Sequence, residues 1–107
     1  MIEELIKYIN GLDLLPCDGG YNPAVDKGIF VVDHMKKHTS QTSTGEFIEI
    51  ILINTEKTDG YLRTHEIAGK LFIALSELDY VYNLSQEYKG SYQDKHTYSY
   101  FLKTGGI

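Results

Sequence analysis

Two histidines four residues apart, directly after an aspartate, form the pattern in this chain that comes nearest to a metal site. Asp33, His34 and His38 carry the donor atoms. Zinc requires three or four ligands in a defined geometry, and no second pair of ligands accompanies these residues. Because His38 falls in a segment predicted to be a loop, solvent-exposed histidines are the simpler interpretation. The sequence therefore predicts no metal site and no cofactor.

A thiol and a His-Glu pair are the remaining candidates for catalysis. Cys17 precedes two glycines, where a nucleophile could lie beside backbone donors. A reactive thiolate requires a nearby base or cation, whereas the neighbour here is Asp18. His65 and Glu66 lie on a predicted helix, where adjacent residues point about 100° apart and do not share a target. We therefore predict no catalytic residues.

Length and charge narrow the class of protein further. A chain of 107 residues is predicted to form one domain, residues 1–107. The net charge of −5 gives no basic field for nucleic acid. The longest apolar run, 50–53, is too short to span a membrane, and a lone cysteine fits a reducing compartment. We expect assembly in the cytosol.

The apolar periodicity predicts the element order α-β-β-α-β-β. This order describes an α+β domain, with a mainly antiparallel four-stranded sheet and helices packed on it. The segment 12–28 contains both prolines and is predicted to be a structured loop. The predicted elements are helices over 3–9 and about 58–78, and strands over 29–33, 46–54, 80–88 and 96–103.

A polar segment separates the first two predicted strands. Residues 34–45 are predicted to be a flexible loop, since five of the last seven are Ser or Thr. Twelve residues is long for a loop in a compact domain, and long loops often carry function. The functional interpretation is an arm that becomes ordered on contact with a neighbour, with Lys36 and Lys37 as candidate contacts.

The predicted central strand and the helix after it carry more apolar surface than a chain of this length can cover. Strand 46–54 has apolar residues on both faces, so both faces should be covered. In the helix, Leu62 and Ile73 lie on the polar side, and Gly69 could let another backbone approach. We expect these three residues at an interface. The predicted core stripe of the helix comprises Ile67, Ala68, Leu71, Leu75 and Leu78.

The last two strands form a hairpin that holds six of the nine tyrosines. Three interpretations remain open: a half-buried core, a subunit interface, or a platform that stacks nucleic-acid bases. Stacking of bases would require interleaved basic residues, and only Lys89, Lys95 and Lys103 are near. The tyrosines proposed for an interface are Tyr82, Tyr88, Tyr98 and Tyr100.

The arrangement resembles the small tail terminator, or tail-completion, proteins of long-tailed phages, often called minor capsid proteins. The resemblance covers nearly the whole chain as a pattern of elements. It includes a short helix (IEELIKYI), a Gly-Tyr-Asn-Pro turn, a strand (IFVVD), a polar loop, the strand-to-helix centre FIEIILINTEKTDGYLRTHEIAGKLFIALSEL and a last strand, YSYFLKT. The chain is short for this group.

The resemblance implies a structural protein of the virion that has no catalytic residues. Such proteins form rings, usually hexameric, that cap the tail tube and join it to the head connector. The expected partners are thus other copies of the chain, the tail tube protein and the connector protein. Two other hypotheses remain: a small protein-binding or regulatory domain that uses the tyrosine hairpin, and an enzyme centred on Cys17 or on His34 and His38.

Overall fold

The computed structural model describes residues 2–39 and 44–105 and has an α+β fold, as predicted. Its sheet has five strands in the order β1-β2-β3-β5-β4. The prediction of four strands was wrong in number, and the sheet is mixed because β1 runs parallel to β2. The elements are α1 Ile2–Gly11, β1 Cys17–Gly19, β2 Lys27–Thr39, β3 Thr44–Thr55, α2 Gly60–Ser76, β4 Val81–Tyr92 and β5 Lys95–Thr104.

The additional strand, β1, lies in the segment predicted to be a loop. Cys17 pairs with Ile29 of β2. The side chain of Asn10, at the end of α1, accepts a hydrogen bond from the Cys17 backbone N–H (2.8 Å) and donates one to the Cys17 carbonyl oxygen (2.9 Å). The Asn10 side chain therefore satisfies backbone groups of this short edge strand that the ladder with β2 leaves unpaired.

The second strand is much longer than predicted. β2 continues through Thr39 and pairs with β3 again at Lys37↔Glu46 and Thr39↔Thr44, after an irregularity between Asp33 and Lys37. The prediction of a loop over 34–45 was therefore wrong at both of its ends. Residues 40–43 lie outside the described residues, as do 106–107 and Met1. The long β2–β3 hairpin accounts for the elongated shape, 49 × 23 × 21 Å.

Both helices pack on one side of the sheet, called the helix face below. β3 is central, as predicted, and its even-numbered residues from 48 to 54 point to the helix face. The Tyr8 hydroxyl donates a hydrogen bond to the Ala74 carbonyl oxygen (2.8 Å) and so connects α1 with α2. The core on this face contains Leu5, Ile9, Cys17, Ile29, Val31, Ile48, Ile50, Leu52, Ala68, Leu71, Leu75, Tyr98, Tyr100 and Leu102.

The start of α2 is not fixed by a side-chain cap. Asp59 is the N-cap residue, but its backbone is left-handed (φ 56°) and its side chain forms no capping hydrogen bond. The first turn is instead fixed from inside, since the Thr64 hydroxyl donates to the Gly60 carbonyl oxygen (2.6 Å) and accepts from the Asn54 amide (3.0 Å). Tertiary contacts therefore position this helix end.

The final hairpin has a tighter turn than predicted. Gln93 and Asp94 join β4 to β5, and both have positive φ (49° and 65°), which is the two-residue turn that suits twisted hairpins. β4 contains two bulges, one between Tyr82 and Ser85 and one between Tyr88 and Gly90. Each bulge inserts one extra residue and so reverses the alternation of faces.

Candidate functional site

The sheet face opposite the helices, called the open face, is covered only in part. Cross-strand partners lie on the same face of a sheet, so the pairing defines rows of side chains across it. Phe30 is opposite Ile51, Val32 is opposite Glu49, and Glu49 is opposite Phe101. An antiparallel sheet with helices on one face usually presents polar residues on the other. Four of the five residues named here are apolar, so this face also requires a covering layer.

A loop provides that layer at one end. Tyr21 packs edge-on against Phe30, with ring centroids 5.8 Å apart. On β5, which lies on the other side of β3 from β2, the Lys95 ammonium donates a hydrogen bond to the Pro23 carbonyl oxygen (3.0 Å). The segment 20–26 thus crosses the open face from β2 to β5. Beneath this end of the face, Ile53 is fully buried and Phe30 nearly so.

The other end of the open face forms a groove of about 400 Å³, called the distal groove. Phe101 at its floor is 38% exposed. The lysines near it lie over aromatic rings: Lys103 Nζ is 5.2 Å from the centroid of Phe47, and Lys89 Nζ is 5.9 Å from that of Phe101. The groove is lined by His34, Phe47, Ile48, Asn83, Phe101, Leu102 and Lys103.

A second apolar surface lies on the outside of α2. Leu62 and Ile73 are each 60% exposed, as their position on the polar side of the helix predicted. Along the helix axis, Gly69 lies between Leu62 and Ile73. Around the axis, it lies within about 20° of Leu62. A Cβ atom at Gly69 would have no neighbour within 4 Å. These three residues form what we call the outer stripe, which points directly away from the core.

Glutamates flank the outer stripe on one side. Glu66 and Glu77 are both exposed, and helical geometry places them within about 60° of Leu62. Within the described part of the chain, neither carboxylate forms an ion pair. The same holds for Lys103, whose recorded contact is with the Phe47 ring. Lys70, also exposed, lies on the same side of the helix, within about 80° of Leu62. The stripe is therefore flanked by two carboxylates and one ammonium group, and the groove by the Lys103 ammonium.

An aromatic cluster fastens the first half of α2 to the hairpin. His65 Nδ1 and the Tyr98 hydroxyl are 2.7 Å apart, and the Tyr88 hydroxyl and His96 Nδ1 are 2.9 Å apart. Tyr61 packs edge-on against Tyr88, with centroids 5.6 Å apart. Burial raises the pKa of Tyr98, and the neighbouring Tyr61 and Tyr88 raise it further. This cluster is a packing element between α2 and the sheet.

The structure separates the tyrosines that the sequence grouped together. Tyr98 and Tyr100 are buried (4% and 0% exposed) and belong to the core, so they present no surface. The bulge between Tyr82 and Ser85 places Tyr82 on the open face and Tyr88 on the helix face, although a regular strand would place these two even-numbered residues on one face. Tyr92, near the turn, is 74% exposed.

The structure places the candidate catalytic residues in separate parts of the fold. Cys17 is buried in the core, and burial, with a smaller effect of Asp18, raises the pKa of its thiol to about 12. His34 Nε2 lies 3.0 Å from Glu49 Oε1 on the open face. His65 contacts Tyr98 rather than Glu66. The residues that the structure describes include no group of three or more potential metal ligands. The side chains of Lys36, Lys37 and His38 lie outside the described ones.

Comparison with known proteins adds no relative. No family model and no curated protein sequence matches the chain. Among the described residues, no helix has the length and apolar character needed to cross a bilayer.

Of the two apolar surfaces, the outer stripe was predicted from the sequence and the distal groove was not. Leu62, Gly69 and Ile73 were identified from helical periodicity. Phe101 and Lys103 of the distal groove were not, because the polar strand residues around them hide the apolar face. Their signal was available in the odd-numbered residues of β3, which are also apolar and which pair with odd-numbered residues of β5.

Proposed function

We propose that this protein is a ring-forming structural protein that terminates a phage tail tube and joins it to the head connector. Copies of the chain, six in the proposed ring, bind the last ring of the tube and one another. The occupied tube end then no longer accepts tube subunits. This mechanism requires binding surfaces and no catalytic residue.

The observation that carries this proposal is the half-covered sheet. An isolated domain of this size buries a modest core, and association with other copies commonly adds to it. Here Val32, Ile51 and Phe101 lie on a sheet face with no helix, while Leu62 and Ile73 project from α2. Apolar surfaces of this kind mark protein interfaces. The acidic net charge of −5 favours a protein partner over nucleic acid.

Electron microscopy of the purified protein, alone and mixed with tail tubes, tests this proposal. The proposal predicts that a tail tube protein is encoded near the gene of this chain, and the tubes are assembled from that protein. We expect rings on the grid, one ring at a single end of each tube, and no further elongation of capped tubes when more tube protein is added. Tubes that bind no protein and elongate normally would contradict the function.

A second candidate function is a small binding domain that recruits another protein through the tyrosine hairpin. The observation in its favour is the exposure of Tyr82 (54%) and Tyr92 (74%) on edge strand β4, since tyrosine is enriched in interfaces. In this case the protein would be monomeric, and Tyr82→Ala would abolish a heteromeric contact. If instead Tyr82→Ala leaves ring assembly and tube capping unchanged, the ring hypothesis is favoured.

A further inference from the structure

We propose that the outer stripe of α2 in one copy docks into the distal groove of the next copy. This inference rests on the proposed function and specifies its subunit interface. The two surfaces lie on opposite sides of the molecule, because α2 covers the helix face and the groove belongs to the open face. A contact between them is heterologous, that is, head to tail.

The missing layer of the fold indicates a helix as the occupant. Sheets that are apolar on both faces are normally covered by helices on both, and residues 2–39 and 44–105 supply helices for one face only. The α2 helix of a neighbour would complete a three-layer arrangement. The segment 20–26 already occupies one end of the open face, so the distal groove is the part left for a neighbour.

The dimensions of the two surfaces agree. Gly69 and Ile73 are four residues apart, which is about 6 Å along a helix. The rows of the open face beyond the segment 20–26, those of Glu49 and Phe47, span about 7 Å along the strand. Gly69, in the middle of the stripe, leaves space above the helix backbone. A ring that projects from the partner, as Phe101 does, would fit this gap.

The charges at the two rims can pair across the contact. Two carboxylates, those of Glu66 and Glu77, and the Lys70 ammonium flank the stripe. The Lys103 ammonium flanks the groove. A heterologous contact would bring carboxylate and ammonium groups together at its rim. An isologous contact between two stripes would bring four carboxylates and only two ammonium groups together, and this excess of like charge is unfavourable.

Repetition of a heterologous contact has a direct structural consequence. Each copy offers one stripe and one groove, so each copy binds two neighbours. If the rotation between neighbours closes, the product is a ring, and otherwise it is an open filament. A typical stable interface buries about 800 Å² per partner. That is a modest share of the 6620 Å² surface of this chain, so two such contacts per copy are feasible.

Two variants, each with one damaged surface, test this interface. Ile73→Asp damages the stripe and leaves the groove intact, whereas Phe101→Asp damages the groove and leaves the stripe intact. We expect each variant alone to be monomeric in native mass spectrometry, at concentrations where the wild type is oligomeric. Mixed in equal amounts, the two should form a 1:1 heterodimer and nothing larger, since only one intact stripe–groove pair remains.

A variant outside both surfaces serves as the control. Tyr92→Ser, in an exposed residue outside both surfaces, should assemble like the wild type, and all variants should have the melting temperature that the wild type shows at concentrations where it is monomeric. An oligomer that persists in either variant, or a mixture that remains monomeric, overturns the interface. That outcome would not contradict the proposed function, because a ring could form through other surfaces. A wild-type protein that is monomeric and does not bind tail tubes overturns both proposals.

Discussion

The Tyr100 hydroxyl, at the centre of β5, donates a 2.8 Å hydrogen bond to the carbonyl oxygen of Ala68 in α2. Tyr100 is fully buried, and burial raises the pKa of its phenol well above the ordinary value, with a smaller effect of Tyr98. This bond joins the middle of the helix to the middle of the sheet. It holds α2 in the position from which its outer stripe points away from the core.

Removal of this hydroxyl should weaken the fold moderately. In Tyr100→Phe the ring keeps its packing and only the hydrogen bond is lost, so we expect a decrease of about 1 kcal/mol in the free energy of unfolding. Urea denaturation followed by circular dichroism measures this change. Tyr92→Phe, in an exposed position, is the matched control and should unfold like the wild type. An unchanged midpoint for Tyr100→Phe would show that the bond contributes nothing.

Asn10 should matter more than its place at the end of a short helix suggests. Its side chain holds both backbone groups of Cys17, and Asn10→Ala removes two hydrogen bonds at once. We expect a loss of about 2 kcal/mol in unfolding free energy. Lys7→Ala, in an exposed position of the same helix, provides the control. Equal stability of the two variants would contradict the role given to Asn10.

Stability at alkaline pH should depend on Cys17. Its pKa is raised to about 12 in the folded chain, against an ordinary value of 9.0. The unfolded chain therefore loses this proton first, and folding stability falls as the pH rises above 9. Stability below pH 9 should not change through this group. The thiol should also react slowly with a disulfide reagent at pH 8.

Denaturant unfolding between pH 8 and pH 10 tests this dependence. Tyrosines also titrate toward the upper end of this range, so the quantity of interest is the difference between the wild type and Cys17→Ala. The stability advantage of the wild type should shrink as the pH rises. A difference that stays constant, or rapid reaction of the thiol in the native protein, would exclude a buried neutral thiol.

Gly69 should separate stability from assembly. Glycine inside a helix costs about 1 kcal/mol relative to alanine, and a Cβ here would touch nothing within 4 Å. Gly69→Ala should therefore raise the unfolding free energy of the monomer by about this amount. The larger Gly69→Leu should remain folded and fail to assemble, because its side chain fills the gap on the outer stripe.

Gly90→Ala is the contrasting variant, since Gly90 has φ 103° and alanine is strained in this conformation. This substitution should lower the stability. Thermal unfolding and native mass spectrometry on the same samples give both readouts. Normal assembly of Gly69→Leu would place the subunit interface elsewhere.

Periodicity predicted those elements whose apolar residues recur regularly. α1, β3, α2 and β5 were placed within a few residues of their observed bounds, and the burial of Leu71 and Leu75 followed from the helical repeat. The exposure of Leu62 and Ile73 followed from the same repeat. These features are local properties of the sequence, so a single chain is sufficient to infer them.

The missed features depend on contacts that are distant in sequence. β1 is three residues long and exists because it pairs in parallel with β2. The second half of β2 carries polar residues, and its strand structure comes from the ladder with β3. The bulge after Tyr82, where Asn83 has positive φ (53°), reverses the alternation without an apolar signal. The surface around Phe101 became visible only when these pairings were known.

Native mass spectrometry of the wild-type protein over a range of concentrations shows whether copies of this chain assemble into a closed ring. We predict one dominant species with six subunits, with few intermediates, as expected when identical heterologous contacts close on themselves. A protein that stays monomeric at the highest concentration, and also binds no tail tube, would rule out a ring-forming terminator.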